Sequence, residues 1–180
     1  MGFKEIRGSV FDADKLRWMN AHYLHVADGA RLRSWGAEFL PAEAAAIESP
    51  RLERLLEMVR GDLATLADLP AALAPYLAPV PEREPDAAAA LAGEKPREVC
   101  EALADVLASV AEWRAETLKS AVQSTGQRLG VRGRDLFQPV RAALTGRTHG
   151  PELPSIMEAL GRERAVSRLR EAAGTGGREA

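Results

Sequence analysis

The chain has 180 residues, with 24 lysines and arginines against 26 aspartates and glutamates, 46% hydrophobic residues and only 5% aromatic residues. This length fits one ordinary domain or two small ones with a true core, and it leaves no room for a large modular enzyme with its own nucleotide-binding domain. The 28% of charged residues and the absence of a long apolar run exclude a membrane-spanning protein, and the first residues lack the apolar stretch of a signal peptide. We therefore expect a cytoplasmic protein with no membrane partner.

The composition predicts an all-α fold. Alanine, leucine, arginine and glutamate dominate, and few stretches alternate apolar and polar residues as a half-buried strand does. The single cysteine, Cys100, has no internal disulfide partner, and we interpret it as a small buried core residue.

In the first half, Asp12 is placed to cap the first helix, with Phe11 packing back against it. Asp28 and Gly29 end that helix, and a second is predicted over residues 30–40. Pro50 is placed to begin a third helix. The apolar residues of the first and third helices recur at helical spacing: Leu16, Met19, Tyr23 and Val26, then Leu52, Leu55, Leu56 and Val59.

The stretch from Pro75 to Pro85 contains four of the 11 prolines and predicts a boundary between subdomains. Beyond it, the pattern predicts helices over residues 87–92, 99–110, 113–129, 139–144, 153–160 and 163–169. Gly130 and Gly146 are placed to end two of these helices, and residues 173–180 are predicted to form a flexible tail.

Charge is distributed unevenly. Residues 1–125 carry 14 basic and 20 acidic residues, whereas residues 126–170 carry nine arginines and four acidic residues. Arginine presents a planar fork of donors suited to phosphates and base edges, so we expect these arginines to converge into a concave, positively charged surface for RNA. The alternative is a solvated helical face with local ion pairs.

No residue pattern predicts catalysis. His22 and His25 lie three residues apart on the first helix but have no third firm metal ligand, so no metal site is predicted. The serines have no partner histidine in a recognisable arrangement. Gly126, Gly130 and Gly133 form a weak glycine-rich pattern without the lysine that a phosphate-binding loop requires.

Two ordered sets of motifs carry a family resemblance. The first runs from Phe11 to Leu24, with the sequence FDADKLRWMNAHYL. The second begins at Phe137 with FQPVRAALTG and continues with GPEL from Gly150 and LGRER from Leu160. In order and spacing, these segments resemble the C-terminal half of bacterial-type glutamyl-tRNA synthetases, and the resemblance covers about residues 11–172.

The resemblance implies the helical cage that binds the anticodon in class I aminoacyl-tRNA synthetases, built from two small helical subdomains. It implies a stem-contact-like segment over residues 1–40, a first anticodon-binding subdomain over 41–85 and a second over 86–172. The implied partners are tRNA(Glu) and, in cis or in trans, the catalytic domain of a glutamate-tRNA ligase. ATP would bind that missing domain, so no cofactor and no activity are expected for this chain alone. It would be either a fragment of a larger ligase or a free-standing relative.

The same resemblance implies an RNA-binding role for several residues. Arg141, which we place in the first turns of a helix that begins at Pro139, is the strongest candidate, since helix amides there favour an anion. Pro151 and Leu153 match a loop that meets the last anticodon bases, although they also fit a helix start. The remaining candidates in the last third and on the first helix are Arg147, Lys15 and Asn20, with Asn20 also suited to bridging the backbone. Leu16 and Trp18 are interpreted as core anchors.

Two positions depart from the family pattern. Asp62 stands where the family often has an arginine that helps to separate glutamate from glutamine anticodons, with Arg60 as a nearby substitute. An aspartate cannot supply the same donors, although it can accept from a cytosine amino group. His25 replaces a further arginine. The acidic first half therefore keeps a second hypothesis open, in which the chain is a free-standing paralogue that acts as a protein-interaction scaffold or as a tRNA-binding factor.

Overall fold

A computed structural model describes residues 12–174, and within that range every regular element is helical. The prediction of an all-α fold is confirmed. The helices of the first half are α1 (Ala13–Val26), α2 (Gly29–Trp35), α3 (Ala42–Ala45), α4 (Ser49–Val59) and α5 (Leu69–Leu77). Those of the second half are α6 (Pro85–Ala90), α7 (Glu94–Ser109), α8 (Ala115–Leu129), α9 (Arg134–Thr145), α10 (Leu153–Leu160) and α11 (Arg162–Ala173). None of these helices is both long and apolar enough to cross a membrane.

The predicted helix ends agree with the structure at several positions. The Asp12 carboxylate accepts hydrogen bonds from the backbone amides of the first turn of α1, as an N-cap does. Pro50 lies in the first turn of α4. Gly130 and Gly146 adopt left-handed conformations at the ends of α8 and α9. The predicted packing of Phe11 lies outside the described residues, as do residues 175–180 of the predicted tail.

The predicted helix start at Pro139 is wrong. Helix α9 begins at Arg134, so Pro139 is its sixth residue and Arg141 its eighth. Proline lacks an N–H group, and at this position it removes one bond of the helical ladder, to the carbonyl of Asp135 near the helix start. The rest of α9 is buried along one face, which offsets that loss. Arg141 therefore does not lie beside the free amides of a helix N-terminus.

The core is one contiguous cluster of buried side chains that extends from Leu24 to Leu169. The stripe of α4 that the sequence predicted is buried in full. In the second half, α7 packs against α8, α9 and α11. Cys100 on α7 is completely buried, as predicted, and burial raises the pKa of its thiol to about 12.

The two halves of the chain are joined through α4 and α10. The Arg51 guanidinium on α4 donates to the carbonyl oxygens of Ala159, at 2.7 Å, and of Leu160. Because the hydrophobic core continues through this junction, both halves form one packed body. The subdomain boundaries at residues 40 and 85 stay predictions.

Helix α1 contradicts the interpretation of Leu16 and Trp18 as core anchors. The Leu16 side chain is 52% exposed and that of Trp18 is 69% exposed, while Leu24 is the one buried residue of the helix. Trp18 stacks on His22 instead, with 6.0 Å between the ring centroids. The reason is that α1 contacts the 3₁₀ turn Arg60–Asp62, and none of the elements described between residues 12 and 174 covers its apolar face.

Candidate nucleic-acid interface

Arg141 contacts the loop that the sequence singled out. From the middle of α9, its guanidinium Nη1 donates a hydrogen bond to the carbonyl oxygen of Pro151. Gly150 has a φ of +124°, and a Cβ atom built there would lie 3.9 Å from the same nitrogen. Burial lowers the pKa of Arg141, and the Tyr76 phenol raises it in part. The guanidinium is thus half-buried, holds the 150–151 turn and keeps donors for a further acceptor.

Tyr76 lies near several of the candidate residues. Its side chain is 5% exposed, and burial raises the pKa of its phenol. The charges of Arg147 and Arg141 lower that pKa, and the charge of Asp62 raises it. These three candidates therefore lie near one phenol, together with Arg168, whose charge also lowers that pKa. Tyr76 was not among the residues predicted from the sequence, where its one signal was an aromatic residue in the proline-rich stretch.

Arg147 is held by Glu84, the residue that precedes α6. Its guanidinium Nε lies 3.1 Å from a carboxylate oxygen of Glu84, and His149 lies 3.7 Å from the other oxygen. The Thr148 hydroxyl donates to the Asp86 carboxylate, and this bond is the main cause of the lowered pKa of Asp86. Residues 147–149 are thus positioned by an ion pair, a histidine–carboxylate contact and a hydrogen bond to acidic residues of the 84–86 segment.

Pro151 and Leu153 have different environments. Leu153 is the first residue of α10 and is 4% exposed, so the alternative interpretation as a helix start is confirmed and its side chain is in the core. Pro151 is partly exposed and lines a cleft of about 360 Å³ between α4 and α10, together with Arg54 and Met58. Of the two, Pro151 is therefore the one that offers surface to a ligand.

Asp62 and Arg60 also have different environments. Asp62 is exposed, near the Tyr76 phenol. The guanidinium of Arg60 donates at 2.9 Å to the carbonyl of Ala27, in the turn between α1 and α2. Arg60 therefore braces α1 and α2 against the end of α4, and this role limits it as a substitute for an arginine at position 62.

The two candidates on α1 do not join the group around Tyr76. The Asn20 amide donates at 2.7 Å to the carbonyl of Ala64, which confirms the interpretation that it bridges the backbone. His25 makes a similar contact at 2.9 Å with the carbonyl of Leu63. Lys15 is exposed on the outer part of the helix, available to a phosphate.

The expected convergence of all the late arginines is wrong. Arg168 is 1% exposed and turns into the core. Arg162 lies over the Trp113 ring at 5.4 Å and donates to the carbonyl of Ala108, while Arg164 donates to the carbonyl of Tyr76. Main-chain carbonyls at helix ends attract arginine donors, and the sequence does not reveal which carbonyls are left without a helical partner. Arg141, Arg147 and Arg168 are late arginines whose charges lower the pKa of the Tyr76 phenol, and Arg168 is the fully buried one of the three.

The described residues form no cluster of three or more histidine, cysteine or acidic residues that could hold a metal ion. The Arg141 guanidinium and the partly exposed Pro151, whose carbonyl it contacts, instead form a surface that is both cationic and apolar. Cationic and apolar groups together suit phosphates and unpaired bases. The fold and the site thus define a helical domain of the RNA-binding class.

Comparison with known proteins agrees with this class. The model of the family described as "Anticodon binding domain" matches residues 29–173, and the chain belongs to that family. Glutamate–tRNA ligase of Acidothermus cellulolyticus is 38% identical over 176 residues, which cover 92% of this chain and 35% of the relative. Glutamate–tRNA ligase 2 of Syntrophus aciditrophicus is 35% identical over 169 residues, with the same shares. The chain thus spans about a third of the length of the curated relatives it matches.

Solved structures show the same fold. A glutamate tRNA ligase from Elizabethkingia meningosepticum, solved in complex with its amino acid, superposes with a TM-score of 0.80 at 19% sequence identity, over 92% of this chain and 33% of that one. A glutamate-tRNA synthetase from Elizabethkingia anophelis gives a TM-score of 0.74 at 21% identity, over 92% and 32%. The suggested likeness to the anticodon-binding region of these ligases is therefore confirmed.

Proposed function

We propose that this chain binds the anticodon arm of tRNA(Glu), with Arg141, Arg147 and Pro151 at the centre of the contact surface. The observation that carries the proposal is the hydrogen bond from the half-buried Arg141 guanidinium to the carbonyl of Pro151, in a chain whose residues 29–173 match the anticodon-binding family. Asp62 and Lys15 are placed at its margins, while Asn20, Arg60 and Leu153 position the backbone from which the contacting groups project. Segments 1–40, 41–85 and 86–172 correspond in this proposal to the stem-contact segment and the two halves of the cage.

The first test measures the affinity of the purified chain for tRNA(Glu) across a range of salt concentrations. Because phosphate contacts release counterions, we expect affinity to fall steeply with salt. Arg141→Ala and Arg147→Ala should each weaken binding. Each should also reduce the slope of log affinity against log salt concentration by about one. Arg97→Ala, which changes an exposed arginine on α7, serves as the charge-matched control. Binding that is equal at low and high salt contradicts the proposal.

Asp62 gives a test of specificity. A carboxylate repels phosphates and accepts hydrogen bonds only, whereas an arginine at this position would donate to base edges. We expect Asp62→Arg to bind tRNA(Glu) more tightly than the parent chain does. The variant should also discriminate more strongly between tRNA(Glu) and a tRNA with a glutamine anticodon. Asp62→Asn separates the removal of charge from the gain of donors. Equal preference in all three proteins would remove Asp62 from the contact surface.

In this proposal the chain works in the cytoplasm beside the catalytic domain of a glutamate-tRNA ligase, in cis or in trans, and does not itself activate glutamate. ATP–pyrophosphate exchange with glutamate by the chain alone would contradict this part. A second candidate function, a protein-interaction scaffold, is favoured by the exposed face of α1, where Trp18 and Tyr23 are 69% and 62% exposed. Capture of a protein partner by a chain that binds no tRNA would support the scaffold instead.

A further inference from the structure

Phe137 stands on α9 between two clefts. Its side chain is 42% exposed. On one side, it lines a cleft of about 660 Å³ at the turn between α8 and α9, to which Arg132 also contributes. On the other side, it lines a smaller cleft of about 190 Å³ with Lys119 and Pro154. Gln123 of α8 contributes to both clefts, so the ring is open on two sides and has a cation in the lining of each.

The position of Phe137 links these clefts to the site around Tyr76. Residues four apart on a helix are neighbours on one face, so Phe137 lies one turn before Arg141. Arg141 holds the carbonyl of Pro151, and Glu152, Leu153 and Pro154 line the smaller cleft beside Phe137. The ring therefore continues the surface formed by α9 and the 150–154 segment.

The surroundings of the ring favour a planar ligand over a protein surface. From residue 81 to residue 174, Phe137 is the one exposed large hydrophobic side chain. Protein-docking surfaces present contiguous apolar patches, whereas single-stranded nucleic acids are bound by isolated aromatic rings within cationic grooves. The smaller cleft is below the roughly 300 Å³ at which pockets for drug-sized ligands begin, which suits one flat group at most.

We infer that Phe137 is a stacking platform for one unpaired base of the RNA, with Lys119 and Arg132 placed to meet the phosphates on either side. Base stacking needs only a π-face and is tolerant of base identity, so the platform supplies affinity without reading the sequence. This inference rests on the proposed function.

The experiment uses the full chain and a synthetic anticodon stem-loop of tRNA(Glu), with binding followed by fluorescence anisotropy. Phe137→Leu keeps an apolar side chain but removes the ring, and we expect binding about fivefold weaker or more, with an unchanged salt slope. Phe137→Tyr should bind like the parent chain. Lys119→Ala should instead make the salt slope shallower by about one. Trp35→Leu, a change at another exposed aromatic residue, is the matched control, and thermal unfolding monitors the fold of each variant.

A series of stem-loops with one abasic position each identifies the stacked base. At that position, removing the base should weaken binding by the parent chain. It should leave binding by Phe137→Leu unchanged, because that variant has already lost the stacking contact. If Phe137→Leu binds as tightly as the parent, or if every abasic position weakens both proteins equally, the platform is overturned while the proposed function stands. If the parent chain binds no RNA, the proposed function itself fails.

Discussion

The guanidinium of Arg168, on α11, donates a hydrogen bond to the carbonyl oxygen of Leu144, next to the last residue of α9. The same group donates to the carbonyls of Pro75 at 2.7 Å, of Pro79 at 3.4 Å and of Ala78. These carbonyls lie at the end of α5 and just beyond it, where the chain leaves the helix beside Tyr76. Burial lowers the pKa of Arg168 to about 10, so it remains protonated at neutral pH. One buried cation thus ties α5, α9 and α11 together.

We expect Arg168→Met to lower the free energy of unfolding by about 3 kcal/mol or more, because it leaves several buried carbonyl oxygens without a donor. Chemical denaturation followed by circular dichroism measures the change. Arg168→Lys should recover only part of the lost stability. A lysine ammonium lacks the planar fork of donors of a guanidinium and cannot bond to all four carbonyls.

Arg128→Met is the control for this prediction. Arg128 is an exposed arginine of α8 with one 3.3 Å bond to the carbonyl of Ala102, and its removal should change stability by less than about 0.5 kcal/mol. Equal losses for the two methionine variants would show that Arg168 does not act as a clamp.

Gly146 should be intolerant of any side chain. It ends α9 at a φ of +72°, and a Cβ atom there would lie 1.9 Å from the carbonyl oxygen of Glu82. We expect Gly146→Ala to destabilise the chain by about 2 kcal/mol or more, through strain at positive φ and displacement of the 82–84 segment. Gly61→Ala is the control, because no atom lies within 4 Å of its Cβ position and its φ is not left-handed. Similar melting temperatures for both variants would contradict this account.

Local signals predicted much of the fold. Asp12, Pro50, Gly130 and Gly146 each set a helix end through their own backbone chemistry, and the structure confirms all four. Pro139 does not begin a helix, because burial of α9 outweighs the loss of one hydrogen bond within it. The apolar spacing of α1 predicted a helix correctly but could not show that its apolar face is left uncovered by the other described elements.

The site was harder to predict than the helices. Arg141 and Pro151 are ten residues apart, and their contact follows from a turn that the motif contains. Tyr76, by contrast, meets Arg141 only through the packing of α5 beside α9, which no local pattern encodes. The arginines of α11 looked like RNA contacts because charge can be counted from the sequence, whereas the carbonyls they bind are exposed only once the helices have ended.

Asp68 should make stability depend on pH in the acid range. Its carboxylate accepts hydrogen bonds from the backbone amides of Thr65 and Ala64, and the Thr65 amide is the main cause of its lowered pKa. A carboxyl whose pKa is lowered by folding stabilises the protein above its ordinary pKa of 3.8, and this contribution is lost as the pH falls through the lower value in the folded state.

Asp68→Asn should therefore be less stable than the parent chain at neutral pH, by about 1 kcal/mol, and this difference should narrow below about pH 4. Urea denaturation at a series of pH values measures it. Asp105→Asn is a suitable control, since Asp105 is exposed and its ion pair with Arg170 spans 3.9 Å. A difference between Asp68→Asn and the parent that stays constant from pH 7 to pH 2 would contradict the assignment.

Glu84 should restrain RNA binding at the Tyr76 site. Its carboxylate lies 3.1 Å from the guanidinium of Arg147 and neutralises a cation that the proposed function assigns to a phosphate. Glu84→Gln keeps the shape of the side chain and removes this charge, so we expect binding of tRNA(Glu) to tighten several-fold at low salt and the salt slope to steepen. Stability should change by less than about 1 kcal/mol, because the pair is partly exposed. Glu98→Gln removes the same charge from an exposed pair with Lys95 on α7. If both variants tighten binding equally, net charge accounts for the gain and Glu84 has no local role.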